Sequence, residues 1–253
     1  MKLGIKTSFF EISNELAEIF MKTLPPQITV DIWSDFVCPW CWIAKKRFEK
    51  GLAAFEHKDE VIIRYHSYRI ASDLTPQPFK DALYKKFGGK SGAEAMMSQV
   101  KSAGEKEGLI YNFNNMFFGD TLDAHAIVKL AQQKGVSEQL TEKLFVASIT
   151  EGRSIFDHDV LVELANEVGV SREEAEKAFS NISLKQEVLK DEASAHAIGA
   201  SGVPLFILNN KYSISGAQSV ETFLRVLEQV WEEKRNELII TEGQSCGIDG
   251  CSI

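Results

Sequence analysis

Residues 28–34, Ile-Thr-Val-Asp-Ile-Trp-Ser, alternate as a strand does and lead through a short turn into Cys38-Pro39-Trp40-Cys41, which opens an amphipathic stretch. This junction constrains the fold more than any other feature. A cysteine where a strand gives way to a helix faces the unpaired N–H groups and positive end of that helix, which stabilise a thiolate. The thiolate is the nucleophile, so the placement makes Cys38 both available and a good leaving group. Cys41, one turn further on, is expected to be more buried, to hold its proton more tightly, and to resolve a mixed disulfide formed on Cys38. Pro39 and Trp40 set how well the helix end stabilises Cys38 and so tune the pair.

The elements around this junction follow from periodicity. The helix is expected from Cys38 to Phe55, with Ile43, Phe48, Leu52 and Phe55 as its buried stripe. Residues 61–70 are β-rich and complete a βαβ unit. Pro76 and Pro78 then mark a boundary. From about Phe79 to His196 the pattern is helical, with almost no strand signal. Helices are expected over Ser91–Glu107, from a Thr121 cap to Lys134, over Ser137–Thr150, Asp157–Val168, Ser171–Phe179 with a capping box to Glu174, and Leu184–Ile198. Strand character returns at Val203–Leu208. Asn209-Asn210 makes a hairpin turn into Lys211–Ser215, and a last helix covers 219–235. The chain is therefore α/β, βαβ…ββα, interrupted by a large all-helical insertion. Four parts are expected: an extension over 1–26, a discontinuous sheet domain over 27–75 and 199–236, the insertion over 76–198, and a Gly-rich tail over 237–253.

Composition narrows the function classes. Hydrophobic residues are 44% and charged residues 25%, ordinary globular values that exclude disorder and a small disulfide-stapled scaffold. With 36 Asp+Glu against 28 Lys+Arg the net charge is −8, the wrong sign for a nucleic-acid binder. No run of eighteen apolar residues suggests a membrane span. Glu11, Glu15 and Glu18 interrupt the N-terminal apolar residues, so 9–22 read as an amphipathic helix and not as a signal peptide, and Met21 stands just ahead of the first strand as an alternative start. The expected location is cytoplasmic, where long-lived structural disulfides are uncommon.

The four cysteines fall into two pairs, Cys38 with Cys41 and Cys246 with Cys251. The first pair is either redox-active or half of a zinc site that the tail pair would complete. Its place at a helix start favours redox chemistry, with no metal. Cys246 and Cys251 lie in Gly-rich sequence and are either a second redox centre exchanging with the first or a structural clip. Pro204, at the start of a strand, stands where proline is disfavoured unless its peptide bond is cis or it sits at the strand's first residue.

Taken together, Ser34-Asp-Phe-Val-Cys-Pro-Trp-Cys41, Thr121-Leu-Asp-Ala-His125, Thr150-Glu-Gly-Arg153, Asp157-His-Asp-Val-Leu161, Ser201-Gly-Val-Pro204 and Ser215-Gly-Ala-Gln218 resemble the DsbA-family thioredoxin fold, most closely its FrnE-type branch, over about residues 28–230. The resemblance implies that Cys38 is the nucleophile and Cys41 the resolving thiol. It further implies that Pro204 is cis beside them, and that the Val203 main chain receives an extended substrate. The implied activity is thiol–disulfide exchange with protein or peptide substrates. No cofactor is implied, with glutathione or a thioredoxin-type reductant as redox partner, and homodimerisation is open. One departure stands out: enzymes of this fold often carry a buried carboxylate six residues before the first cysteine, and that position is Ile32. Asp35 is read as a solvated turn residue. His125 and His158, in the stretches that carry the resemblance, either face the active-site groove and tune the thiolate or are helix caps or surface residues; Trp33 and Trp42 are read as core, and Trp40 as partly exposed. Phe113, Met116, Phe117 and Phe118 are expected either to line a groove or interface or to belong to the core of the insertion. Three other functions compete: a glutathione-dependent kappa-class transferase or hydroxychromene-carboxylate isomerase, which usually has Ser in place of Cys38; a non-catalytic peptide-binding chaperone module; and a metal-binding sensor.

Overall fold

The computed structural model describes residues 27–243. The N-terminal helix expected over 9–22 lies outside the described residues. So do Cys246 and Cys251, and with them the tail pair read as either a second redox centre or a structural clip. Four strands form one sheet: β1 (Ile28–Ser34), β2 (Val61–Ser67), β5 (Leu205–Leu208) and β6 (Tyr212–Ser215). Their order is β2-β1-β5-β6, with β1 parallel to β2 and the other pairs antiparallel. Helix α1 (Pro39–Ala54) connects β1 to β2, and α9 (Val220–Gly243) follows β6. The expected βαβ…ββα order is present, and α9 runs past its expected end at 235.

One face of α1 packs on the sheet. Phe48, Phe55 and Ala44 meet Val30, Ile32, Phe206 and, from α9, Phe223 and Leu227. Gly51 sets how closely α9 approaches, because a Cβ there would lie 3.1 Å from the Phe223 Cβ and 3.2 Å from the Val220 carbonyl oxygen. The other face of α1, with Cys41, Trp42 and Ile43, joins the core of the intervening helices. These are α2 (Phe79–Lys86), α3 (Lys90–Glu105), α4 (Leu122–Gln133), α5 (Ser137–Phe145), α6 (His158–Asn166), α7 (Arg172–Ala178) and α8 (Ile182–Ala197). Phe113 and Met116 are buried in this core, the second of the two alternatives for the aromatic stretch; Phe117 alone of the four is exposed.

Two local features depart from the periodicity. The helical stretch contains a two-residue ladder, β3 (Gln77–Pro78) against β4 (Phe117–Phe118), extended by Phe79 N–H donating to the Met116 carbonyl at 2.9 Å. The helix expected over Ser137–Thr150 stops at Phe145 and widens into a π turn over Val146–Glu151. There the Ile149 carbonyl accepts from Asn112 N–H and the Thr150 hydroxyl donates to the Ile110 carbonyl, so a loop from outside supplies partners that the helix forgoes.

The alternation of β1 suggests a solvated face, but Asp31 is buried. Arg64 holds it by two hydrogen bonds of 2.8 and 2.6 Å, and His66 bonds it at 2.7 Å. His66 also bonds Asp191 on α8, which pairs with Lys129 on α4. This network fastens the helices to the sheet. Burial opposes charge on His66, but its bonds to Asp191 and Asp31 outweigh that and raise its pKa. A group whose pKa is raised by folding stabilises fully below its unfolded value and loses that contribution as pH rises through its folded value. The melting temperature of the wild type is therefore expected to fall as pH rises above about 6.5, and His66→Gln to flatten that limb. Parallel profiles in the two proteins would refute the assignment.

Candidate active site

Cys38 occupies the N-cap of α1 in extended conformation, and Pro39, which has no N–H to leave unpaired, begins the helix. The turn before it is closed by Cys38 N–H donating to the Asp35 carbonyl at 3.2 Å, and the first helical turn by Cys41 N–H donating to the Cys38 carbonyl at 3.0 Å. Both cysteines are free thiols. Cys38 is 7% exposed and Cys41 2%.

The β5 end of the sheet supplies the other half. The Val203–Pro204 bond is cis. The Cys38 thiol donates to the Val203 carbonyl with Sγ 3.7 Å from the oxygen, a contact between residues 165 apart in sequence. Pro204 is buried, and its carbonyl accepts from Gly216 N–H at 2.9 Å, which ties the loop to the end of β6. Trp40 is half-buried against the helical core. Trp42 stacks on Phe145 and donates to Glu142 at 3.1 Å, while Trp33 stacks on His66.

Burial pushes the Cys41 thiol well above its ordinary range. The neighbouring Cys38 adds to the rise, and hydrogen bonds with the Asp35 backbone and the Ser34 hydroxyl oppose it. The two thiols thus differ in surroundings: one beside the loop from β5, the other sealed beneath it.

Asp35 is not a solvated turn residue. It is fully buried, and its carboxylate accepts from the Thr121 hydroxyl and from Ile70 N–H, each at 2.8 Å. Thr121 occupies the N-cap of α4, but its hydroxyl is spent on Asp35, and Asp120 accepts from Leu122 N–H instead. His125 is neither a cap nor a surface residue: it is 3% exposed, and its ring lies tilted against Phe36 with centroids 4.6 Å apart. His158 is exposed, pairs with Asp123 and stacks on Phe179, away from the cysteines. Ile32 is buried, lining a cavity beside Cys41. Among the described residues, which exclude Cys246 and Cys251, no group of three or more His, Cys, Asp and Glu is placed to hold a metal ion.

Sequence reasoning passed over Tyr111. Its buried hydroxyl donates to the Pro39 carbonyl at 2.7 Å and so braces the turn between the cysteines from the helical side. No local signal marks it, since 72 residues separate the partners. Tyr111→Phe leaves that carbonyl without its partner and is expected to lower stability by about 1 kcal/mol. A urea midpoint equal to wild type would count against the brace.

A family model, the DSBA-like thioredoxin domain, matches residues 29–228. The chain belongs to this family. Among solved structures, a probable DsbA oxidoreductase from Streptomyces coelicolor is 33% identical, with 90% of this chain and 99% of that one covered and a TM-score of 0.78. An uncharacterized protein of Bacillus subtilis (strain 168), YwbO, is 24% identical over 213 residues, covering 82% of this chain and 99% of its own. A 2-hydroxychromene-2-carboxylate isomerase shares 14% identity and a TM-score of 0.59 over 83% of this chain and 98% of that one, a likeness of fold alone. In this DSBA-like domain, as described, no helix is long and apolar enough to cross a membrane.

Proposed function

We propose that this chain is a protein thiol–disulfide oxidoreductase in which Cys38 is the nucleophile and Cys41 the resolving thiol. The observation that carries the reading is the pairing of environments. The Cys38 sulfur stands at the N-terminus of α1, 3.7 Å from the Val203 carbonyl and next to cis Pro204, whereas Cys41 is sealed one turn deeper. The positive end of α1 favours negative charge on the outer sulfur. In the reducing direction, the Cys38 thiolate attacks one sulfur of a substrate disulfide and expels the other as a thiolate. Cys41 then loses its proton and attacks Cys38, forming the internal disulfide and releasing the substrate's second thiolate. The substrate gains two electrons and the dithiol loses them; glutathione or a thioredoxin-type reductant resets the pair.

The substrates are protein or peptide thiols and disulfides, received along the Val203 main chain by strand-like hydrogen bonds. Residues 27–75 and 199–236 act as the thioredoxin unit and 76–198 as the helical insertion over it. Pro39 and Trp40 tune the pair. Cys246 and Cys251, five residues apart in the tail, serve as a second redox pair. The chain is assigned to the FrnE-type branch and to a reducing cytoplasm, where reductase or isomerase work is favoured. Retention of both Cys38 and Cys41 separates it from the glutathione-dependent isomerases that share its fold.

The test is equilibration across a glutathione redox series, with acid trapping, alkylation and mass counting of thiols. A reversible two-electron step lost in Cys38→Ser is expected. Cys41→Ser should stop at a glutathione mixed disulfide on Cys38. If neither protein nor variant exchanges thiols, the oxidoreductase reading fails and a groove-binding module is the better account.

A further inference from the structure

Cys41 must lose its proton before it can resolve a mixed disulfide, and the nearby carboxylates are committed elsewhere. Asp35 serves Thr121 and Ile70, and Asp31 serves Arg64 and His66. Cys41 instead faces a cavity of about 30 Å³, room for roughly one or two waters. The imidazole of His125 lies in the same cavity wall. Its Nε2 is buried and has no hydrogen-bond partner in the protein. The Asp35 carboxylate oxygen is 3.6 Å away, too far for a bond.

We propose that His125 is the proton acceptor for Cys41, reached through water in this cavity. The proposal rests on the thiol–disulfide reading above. The Cys41 proton passes to a bridging water, and that water gives a proton to His125 Nε2. The freed electron pair on Cys41 forms the S–S bond to Cys38 as the bond from Cys38 to the substrate sulfur breaks, and the substrate leaves as a thiolate. In the opposite direction, His125 returns the proton to the Cys41 thiolate. The other groups facing the cavity are poorer acceptors. Lys45 is paired with Glu49 and Glu142, and Tyr65 holds its proton tightly because it is buried. His66 has both ring nitrogens engaged, by Asp31 and by Asp191, the latter paired with Lys129.

The experiment mixes reduced protein with glutathione disulfide, quenches in acid at intervals, alkylates, and separates the Cys38–glutathione mixed disulfide from the internal disulfide by mass. Formation of the mixed disulfide should be unaffected in His125→Asn, and its resolution slowed about tenfold to about a hundredfold. The wild-type resolution rate should level off with pH because a side chain and not hydroxide takes the proton, whereas the variant's should climb about tenfold per pH unit through the alkaline range, since burial holds the Cys41 thiol well above its ordinary range. Identical profiles would overturn the proposal. If the variant fails to fold, the wild-type profile decides alone: a plateau supports the acceptor, and an unbroken climb overturns it. Absence of any mixed disulfide at Cys38 in Cys41→Ser would bring down the parent reading as well, whereas a mixed disulfide resolved identically in the wild type and His125→Asn removes only this step.

Discussion

Cys38→Ser is expected to reduce disulfide exchange to the level of buffer alone while leaving the fold intact. A serine hydroxyl is a weak nucleophile without an adjacent base and forms no disulfide, so both half-reactions are lost. The oxygen is smaller than sulfur, and the site at the N-cap of α1 suits serine well, so thermal stability should stay within about 1 kcal/mol of wild type. Insulin-disulfide reduction and a melting curve check the two halves together. Residual turnover in a protein that melts normally would move the nucleophile elsewhere. Loss of both activity and melting would show only damage, and for that case Cys41→Ser, which should still form the mixed disulfide, isolates the chemistry.

Asp35→Ala should have the largest effect on stability. The carboxylate is fully buried and accepts from the Thr121 hydroxyl and from Ile70 N–H. Removing it strands the buried Thr121 hydroxyl, which costs about 1 to 3 kcal/mol, and also takes the partner of the part-buried Ile70 N–H. A loss of about 2 to 5 kcal/mol is large beside a total of about 5 to 15 kcal/mol for a typical domain. Asp35→Asn keeps an accepting oxygen and should cost less. Urea unfolding followed by circular dichroism gives the comparison, and an alanine variant within about 0.5 kcal/mol of wild type would show that the contacts carry little.

These two residues also mark how far the sequence could be read. Features encoded within a few residues were legible. The Ser171–Glu174 capping box forms, and Asn209 and Asn210 take the positive φ values, 49° and 54°, that their hairpin requires. The strand–helix junction at Cys38 and the stripe of Ile43 and Phe48 follow from periodicity alone. What failed were polar residues whose partners are distant. Asp35 has the local signature of a turn, and only Thr121, 86 residues away, reveals it as a buried anchor. Asp31 keeps a polar beat in β1 because Arg64 and His66 neutralise it inside the protein. His125 stands in the Thr121–His125 stretch of the resemblance, which leaves open whether it faces the active site; that its ring meets Phe36 and a cavity shared with Cys41 is set by residues distant in the chain.

The 165-residue separation between Cys38 and the Val203 carbonyl also has a consequence during synthesis. A ribosome adding about 5 to 20 residues per second takes on the order of ten seconds or more to cover that distance. For that interval the nascent chain carries its two cysteines before the loop that will flank the outer one has been made. Tyr111 and His125 are translated earlier than Val203, so the inner thiol gains its neighbours first and the outer thiol last. The growing polypeptide therefore carries the Cys38–Cys41 dithiol without its Val203 flank until the last strands of the sheet are made.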